Sequence, residues 1–219
     1  MVILPVFVSA ARAQEPSTGE RQSTRSPVPL EQIWKGVLQA QQHSTVCGSL
    51  SETRSSPLLL RPLQFHGTFC VQGTTGFRLS YSEPENLTVI YRDEYVNVVN
   101  GREKRTEAFE AGSGVARAMQ YFGPKASVEN IKRDFRVAAE QGPGVFVLRM
   151  EPVTGRFKSR VDSIVATFDA RDFRVRRLEI NGRNGVRSVF DILIERVDVP
   201  LDPTTFEVYQ PGRRKENQR

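Results

Sequence analysis

Two side chains that could do nucleophilic chemistry lie close together in the sequence. His43 and Cys47 are four residues apart, so a helix would place them on one face, as a cysteine–histidine dyad requires. Two unrelated surface residues at a fraying helix end give the same spacing. The chain has only two histidines, and it contains no HExxH, C-x-x-C or G-x-S-x-G motif. We therefore expect a protein that is not an enzyme and that uses no metal and no cofactor.

Basic residues are the second candidate, because the net charge is +6. A surface that binds single-stranded nucleic acid places aromatic and basic side chains together on one exposed face. Arg78 instead alternates with Phe77 and Leu79, so a strand would turn it away from them. The other basic residues are scattered, apart from the tail 213–219, and such scatter is typical of a solvated surface. We expect no nucleic-acid partner.

The first residues predict export. Residues 1–13 form a short apolar run that ends in Ala11-Arg12-Ala13, an A-x-A cleavage pattern. No basic region precedes the run, which leaves an upstream start codon open, and a buried N-terminal strand is the alternative interpretation. Residues 14–28 are rich in Ser, Thr, Glu, Gln and Arg and predict a disordered linker. We expect a signal peptide over 1–13 and a mature, exported chain that begins at Gln14.

An exported protein can hold disulfides, and this chain has two cysteines, Cys47 and Cys70. A bridge between them would join the predicted first helix to the sheet. Against a bridge, Cys70 alternates with Phe69 and Val71 and falls on the polar side of its strand. The sequence leaves both the bonded and the free state open.

Apolar spacing predicts one long helix and two short ones. The first helix carries a single apolar stripe, made of Leu30, Ile33, Trp34, Val37 and Leu38. We expect this helix to run toward Gly48 and to be followed by a loop over 51–56. Short helices are predicted over 113–122 and over 127–134.

Elsewhere apolar and polar residues alternate with a period of two, which predicts strands with one apolar face. The alternation is clearest where Phe77, Leu79 and Tyr81 are separated by polar residues. Strands are predicted over 57–71 with a break at Pro62, 77–81, 87–91, 95–99, 135–139, 145–150, 163–168, 173–180, 186–197 and 206–209. Such alternation is typical of antiparallel sheet and not of buried parallel sheet.

One long helix cannot cover so many strands if the sheet is flat. We therefore expect an α+β, mainly β, fold: an open antiparallel half-barrel with helices covering a hydrophobic concave face. The domain spans residues 29–212 and leaves a basic tail over 213–219.

This concave face is the remaining candidate site. Its alternation fits a solid core, and it also fits a half-barrel whose helices leave part of the interior open to an apolar ligand. Acyl chains suit such a cavity, because each buried CH₂ contributes about 0.8 kcal/mol. The candidate ligand-binding residues are Trp34, Phe65, Phe69, Phe77, Leu79, Tyr81, Val89, Tyr91, Met119, Phe122, Phe146, Leu148, Ile164, Phe168 and Ile192.

Several short motifs follow one another in a fixed order between residues 29 and 212. Gly67 and Phe69 open one strand, Phe77-Arg78 begins the next, and Pro84 precedes the strand 87–91. A closing pattern follows, made of Asp202, Phe206, Val208, Pro211 and Gly212. This order resembles the LolA family of periplasmic outer-membrane lipoprotein carriers. Two features differ from that family: Glu94 stands at a turn glycine, and Gly73-Thr74 stand where the family has Arg-Pro.

The resemblance implies a periplasmic carrier that shields the acyl chains of lipoproteins between the inner and the outer membrane. It implies acylated lipoproteins or lipids as cargo, with an inner-membrane releasing complex and an outer-membrane acceptor as partners, and we expect a monomer. The family's Arg-Pro arginine, which controls lid closure and release, has no counterpart, so the fold is better supported than the full mechanism. Two alternatives remain: a regulatory domain of similar fold that senses lipid or lipoprotein, and a lipid-acting enzyme, which the lack of catalytic residues disfavours.

Overall fold

A computed structural model describes residues 25–40, 43–73, 75–82, 84–92, 95–110 and 128–207. Its strands are β1 (Ser26–Pro27), β2 (Thr45–Ser55), β3 (Leu63–Gln72), β4 (Gly76–Tyr81), β5 (Leu87–Arg92), β6 (Tyr95–Asn100), β7 (Arg105–Glu110), β8 (Phe135–Gly142), β9 (Val145–Pro152), β10 (Val161–Asp169), β11 (Val175–Gly182) and β12 (Arg187–Val197). Its helices are α1 (Leu30–Ala40), α2 (Val128–Asp134), α3 (Gly155–Arg160) and a 3-10 helix (Pro203–Phe206).

Within the described residues, the strands form one 12-stranded sheet in the order β1-β8-β9-β10-β11-β12-β2-β3-β4-β5-β6-β7. Strands that follow one another in sequence pair from β2 to β7 and again from β8 to β12, as short connections favour. The pairing of β2 with β12 joins these two series. Because β1 and β7 do not pair with each other, the sheet stays open. The predicted α+β, mainly β, open antiparallel architecture is therefore confirmed.

The central strand β2 corrects two predictions. The sequence predicts a helix toward Gly48 and a loop over 51–56, whereas α1 ends at Ala40 and β2 covers Thr45–Ser55. This stretch has few apolar residues and no sustained alternation. It is a strand because β12 on one side and β3 on the other pair with it along nearly its whole length. Those ladders bond backbone groups that a buried loop would leave unpaired.

Pairing also explains smaller differences from the prediction. Ser26 and Pro27, the predicted end of the linker, pair with β8. β7 and α3 form where no element is predicted. Phe206, predicted in a strand, lies in the 3-10 helix, which begins where the Asp202 carboxylate accepts the Thr204 N–H. The predictions for residues 1–24, 113–122 and 213–219 lie outside the described residues.

The hydrophobic core occupies one part of the concave face, beneath α1 and α2. Its members are buried side chains of these helices and of β8–β10: Leu30, Ile33, Trp34, Val37, Ile131, Phe135, Phe146, Leu148, Met150, Ile164, Ala166 and Phe168. α1 packs there because its apolar residues recur every three or four positions and form a single stripe. For this part of the face, the solid-core interpretation holds. None of the helices in the described part of the chain has the length and apolarity that a membrane-spanning helix needs.

Candidate ligand-binding site

The neighbouring part of the concave face encloses a cavity of about 430 Å³. This volume lies within the range of about 300–1,000 Å³ that is usual for ligand sites. The apolar lining consists of Ala40, Val46, Leu50, Phe69, Val71, Gly73, Phe77, Leu79, Phe168, Phe173, Val175, Leu178, Ile180, Phe190, Ile192 and Ile194. Among the described residues, His43 and Arg174 are the polar residues of the lining. Such a wall suits an apolar ligand, because few polar groups would lose water when the ligand binds.

The sheet curves around this cavity. Phe168 on β10 and Phe77 on β4 are five strand intervals apart in the sheet order, which would separate them by about 24 Å in a flat sheet. Both side chains nevertheless line one cavity. At the centre of the curve, β12 has a register shift between Ile194 and Arg196, and such bulges bend strands. Gly48 faces this point, where an added Cβ would lie 2.0 Å from the Leu193 carbonyl oxygen.

A polar pair lies at one end of the cavity. His43 Nδ1 is 2.6 Å from Oδ2 of Asp198, and the Ser44 N–H donates to Oδ1 of the same carboxylate at 2.7 Å. The hydrogen bond with His43, followed by that from Ser44, lowers the pKa of Asp198. The candidate dyad of His43 and Cys47 does not form, because Cys47 is in a disulfide. This end of the cavity therefore offers polar contacts and no free thiol.

The turn between β10 and β11 places two residues at the rim of the cavity. The Phe173 N–H donates to the Asp169 carbonyl, and the Asp169 N–H donates to the Arg174 carbonyl, both at 2.9 Å. The Asp169 carboxylate also accepts hydrogen bonds from Arg171 and from Arg176. These bonds, the one from the Arg171 side chain first, lower the pKa of Asp169 to about 2. The Asp169 carboxylate therefore stabilises the turn through its hydrogen bonds with Arg171 and Arg176.

Phe173 lies at the border between the cavity and the core. Its φ of 56° places it in the left-handed region, which is rare for an aromatic residue. Its ring stacks on Phe146, with centroids 5.3 Å apart. On the α1 side, an added Cβ at Gly36 would lie 2.5 Å from the same ring. Because Gly36 has no side chain, the Phe173 ring can occupy this position in the cavity wall.

A buried polar cluster interrupts the apolar face beside the cavity. Glu52 follows Leu50 on the same side of β2, and its side chain has no exposed surface. Arg54 contacts Oε1 of Glu52 through Nε at 2.9 Å and through its terminal nitrogen at 2.8 Å, and its guanidinium lies 4.9 Å from the Phe65 ring centroid. The Tyr81 hydroxyl donates to Oε2 of Glu52 at 2.6 Å. A buried carboxylate is tolerated here because a cation and a hydroxyl replace its water.

Cys47 and Cys70 lie directly opposite each other in the β2–β3 ladder and form a disulfide. Their Cα atoms are 4.2 Å apart. Strand alternation puts the bond on the opposite face from Phe69 and Val71, outside the cavity. It joins β2 to β3 and does not join the first helix to the sheet, because residue 47 lies in β2.

The structure separates the candidate ligand-binding residues into groups. One group lines the cavity, namely Phe69, Phe77, Leu79, Phe168 and Ile192. A second belongs to the core alone, namely Trp34, Phe146, Leu148 and Ile164, whereas Phe168 belongs to both the core and the cavity wall. A third group does not line the cavity: Phe65 and Tyr81 lie at the polar cluster, and Val89 and Tyr91 lie on β5. Met119 and Phe122 lie outside the described residues. Ligand binding by any of them stays a prediction.

Sequence reasoning missed part of the wall. Val46 and Leu50 were not candidates, because β2 has no sustained apolar alternation; the only signal is the short series Val46, Gly48, Leu50. Phe173 is predicted at the start of a strand, but it lies in the turn before β11. Nothing in its local sequence indicates that an aromatic residue adopts a left-handed conformation there.

No protein-family profile and no curated protein sequence matches the chain. Among solved structures, an uncharacterized conserved protein from Thermus thermophilus is similar, with 9% identity and a TM-score of 0.52 over 83% of this chain and 94% of that one. At this identity, the match shows a shared fold alone.

Other matches have lower TM-scores, among them the following two. A LolA superfamily protein from Nitrosomonas europaea has 9% identity and a TM-score of 0.44, over 83% of this chain and 98% of that one. A DUF1329 family protein from Desulfovibrio piger has 11% identity and a TM-score of 0.47, over 82% and 97%.

Proposed function

We propose that the protein binds the acyl chains of lipids or lipoproteins in its cavity and carries them through the periplasm from the inner to the outer membrane. One observation carries the proposal: an apolar cavity of about 430 Å³ lies beside a core that is already filled. The motif order between residues 29 and 212 is the second support. The proposed activity is reversible binding and transfer, without catalysis.

The walls favour a hydrocarbon chain over a polar ligand. Each CH₂ that leaves water for such a wall contributes about 0.8 kcal/mol, and this gain needs no directional contact. Two polar residues of the lining, His43 and Arg174, lie in the connection between α1 and β2 and in the β10–β11 turn. A ligand would place its polar end near these residues and its hydrocarbon near Leu50, Leu79 and Phe190.

Release would work without the arginine that the carrier family uses. Gly73 occupies that position and lines the cavity with a φ of 49°. The inner-membrane releasing complex and the outer-membrane acceptor are therefore proposed as partners that would act on a different contact. We also propose that the protein acts as a monomer.

The same substitution in the cavity and in the core tests the proposal. Leu79 lines the cavity, whereas Leu148 is 1% exposed within the core. In Leu148→Asn, a buried amide without a partner costs about 1–3 kcal/mol of folding free energy, in addition to lost packing. In Leu79→Asn, water can reach the amide, so the loss of stability is smaller. A bound acyl chain must displace that water, so the affinity falls.

Two measurements on each variant separate binding from folding. Denaturant unfolding gives the free energy of unfolding, and titration with a fluorescent fatty acid, followed by competition with palmitate, gives the affinity. The proposal predicts weaker binding for Leu79→Asn and unchanged affinity for the folded fraction of Leu148→Asn. If the wild type binds no acyl ligand, or if Leu79→Asn is strongly destabilised with unchanged affinity, the cavity is not an acyl site.

A further inference from the structure

The connection between β2 and β3 exposes an unusual amount of apolar surface. We call residues 56–62, Ser-Pro-Leu-Leu-Leu-Arg-Pro, the leucine loop. Leu58 is 93% exposed and Leu60 is 107% exposed, and Leu59 and the adjoining Leu63 are 37% and 41% exposed. Adjacent exposed leucines at the tip of a connection mark an interaction surface more often than scattered ones do.

The loop is an ordered turn. The Leu59 N–H donates to the Ser56 carbonyl at 3.0 Å, and the Leu58 N–H donates to the Ser56 hydroxyl at 3.2 Å. Pro57 fixes the backbone at the second position of this turn. It lies against Gly185 in the β11–β12 turn, where an added Cβ would be 2.7 Å from Pro57 Cγ. The leucines are therefore presented outward by a braced backbone.

Basic residues lie in the leucine loop itself and in the elements next to it. Arg61 follows the leucines within the loop, and Arg183 lies in the β11–β12 turn that braces Pro57. Arg183 also donates to the Lys158 carbonyl of α3, so the leucine loop, this turn and α3 form one continuous surface. Arg61, Lys158 and Arg160 have no acidic partner among the described residues. The surface thus combines protruding leucines with three basic residues that have no acidic partner there, whereas Arg183 lies 4.0 Å from the Asp162 carboxylate.

We infer that this surface docks onto an anionic phospholipid bilayer. Because the leucines protrude, they can insert into a lipid bilayer, which deforms around them, whereas a protein partner would need a complementary groove. The flanking basic residues complement acidic lipid headgroups, and each contributes when it lies within about 10 Å of the charged surface. Leu58 and Leu60 enter the headgroup and acyl boundary, as the apolar sides of interfacial segments do.

The position of the loop gives this docking an orientation. The leucine loop follows the Ser55 end of β2, whereas His43 and Gly73 of the cavity lie near its Thr45 end. Leu50, near the middle of β2, is the lining residue of this strand closest to the loop. Docking therefore sets β2 and β3 at an angle to the membrane, with the His43 end of the cavity away from the lipid.

Vesicle flotation tests the inference with the purified full chain. The vesicles contain phosphatidylcholine alone or phosphatidylcholine with an equal part of phosphatidylglycerol. We expect the wild type to float with the anionic vesicles and poorly with the neutral ones. The double variant Leu58→Ser/Leu60→Ser should partition at least about tenfold less, since two side chains no longer leave water. It should unfold like the wild type, because both leucines are already exposed.

Two controls separate the apolar from the electrostatic contribution. Leu193→Ser changes another leucine, which is 52% exposed on β12, and should float like the wild type. Arg61→Gln/Lys158→Gln should lose binding at about 0.1 M salt and differ little from the wild type near 1 M, where the Debye length is about 3 Å.

Several outcomes would overturn the inference. The inference is wrong if the wild type does not float with anionic vesicles or if Leu58→Ser/Leu60→Ser floats like the wild type. It is also wrong if Leu193→Ser loses as much vesicle binding as this double variant. If instead the wild type sediments as a dimer and the serine double variant as a monomer, the loop joins two copies of the chain. Because flotation needs no cavity ligand, it can fail while acyl binding is intact, and the reverse also holds.

Discussion

The Tyr81 hydroxyl donates a 2.6 Å hydrogen bond to Oε2 of Glu52. Tyr81 lies on β4 and Glu52 on β2, so the bond spans β3 on the concave face. Between them, Gly67 of β3 pairs with Tyr81 and leaves room for the contact. The bond therefore fixes the distance between two strands whose neighbouring residues, Leu50 and Leu79, line the cavity.

Removal of this hydroxyl should destabilise the fold. In Tyr81→Phe, one oxygen of a fully buried carboxylate loses its partner, which costs about 1–3 kcal/mol. Denaturant unfolding at neutral pH measures the loss. Tyr95→Phe is the matched control, because its hydroxyl has no hydrogen-bond partner among the described residues. Equal stability of Tyr81→Phe and the wild type would show that water or Arg54 replaces the hydroxyl.

The same contact predicts an alkaline transition. Burial, then donation to Glu52 and the negative charge of Glu52, raise the pKa of Tyr81 well above its ordinary value. Above pH about 10 the unfolded state releases this proton while the folded state keeps it. The contribution of the Tyr81 hydroxyl to the free energy of unfolding is complete below pH about 10, and it is lost as the pH rises toward the pKa of Tyr81 in the folded protein. The stability difference between the wild type and Tyr81→Phe should therefore shrink above pH about 10, as unfolding in a pH series would show.

Acid should weaken the interactions of Asp169 that stabilise the β10–β11 turn. The pKa of Asp169 is about 2 in the folded protein, below the value of about 3.9 for a free aspartate. Its contribution is present above pH about 4 and is lost as the pH falls toward 2. Acid unfolding should therefore show a smaller pH dependence in Asp169→Asn than in the wild type. Denaturant unfolding in a series of acidic pH values measures the difference, and an equal pH dependence in the two proteins would contradict the prediction.

The contact between Gly36 and Phe173 predicts a coupled pair. Gly36→Ala places a Cβ 2.5 Å from the Phe173 ring, so the ring must move, which costs about 1–3 kcal/mol. The displaced ring should also change acyl affinity, because Phe173 lines the cavity. Adding Phe173→Leu should recover part of the stability. Thermal unfolding and the fatty-acid titration measure both effects; additive losses in the double variant would show that the two residues are independent.

Local alternation was sufficient to predict most of the sheet. β4, β9 and β10 carry apolar residues at every second position, and the structure has them within a few residues of the predicted bounds. β2 was not predictable in this way, because its outward positions are Ser and Thr apart from Cys47, and its inward ones include Gly48, Glu52 and Arg54. Its strand state depends on partners that lie far away in the sequence.

The candidate site was predictable to a similar degree. Alternation gives the face on which Phe69, Phe77, Leu79 and Ile192 lie, since the face follows from residue type alone. Alternation does not show which part of this face is packed against helices and which part stays open, because that depends on where α1 lies across the sheet. Trp34 illustrates this: its helix covers β8–β10, so it lies 3% exposed in the core and not in the cavity wall.

The strand order has a consequence for how the protein folds. β2 comes from the start of the domain and β12 from its end; Ser49 and Glu195, which are hydrogen-bonded across this junction, are 146 residues apart in sequence. Topologies with such distant contacts fold slowly. The β2–β3 hairpin, which carries cysteines only 23 residues apart, can pair early. The cavity cannot, because β12 supplies Phe190, Ile192 and Ile194 to its wall. A nascent chain therefore exposes these apolar residues until β12 has paired with β2.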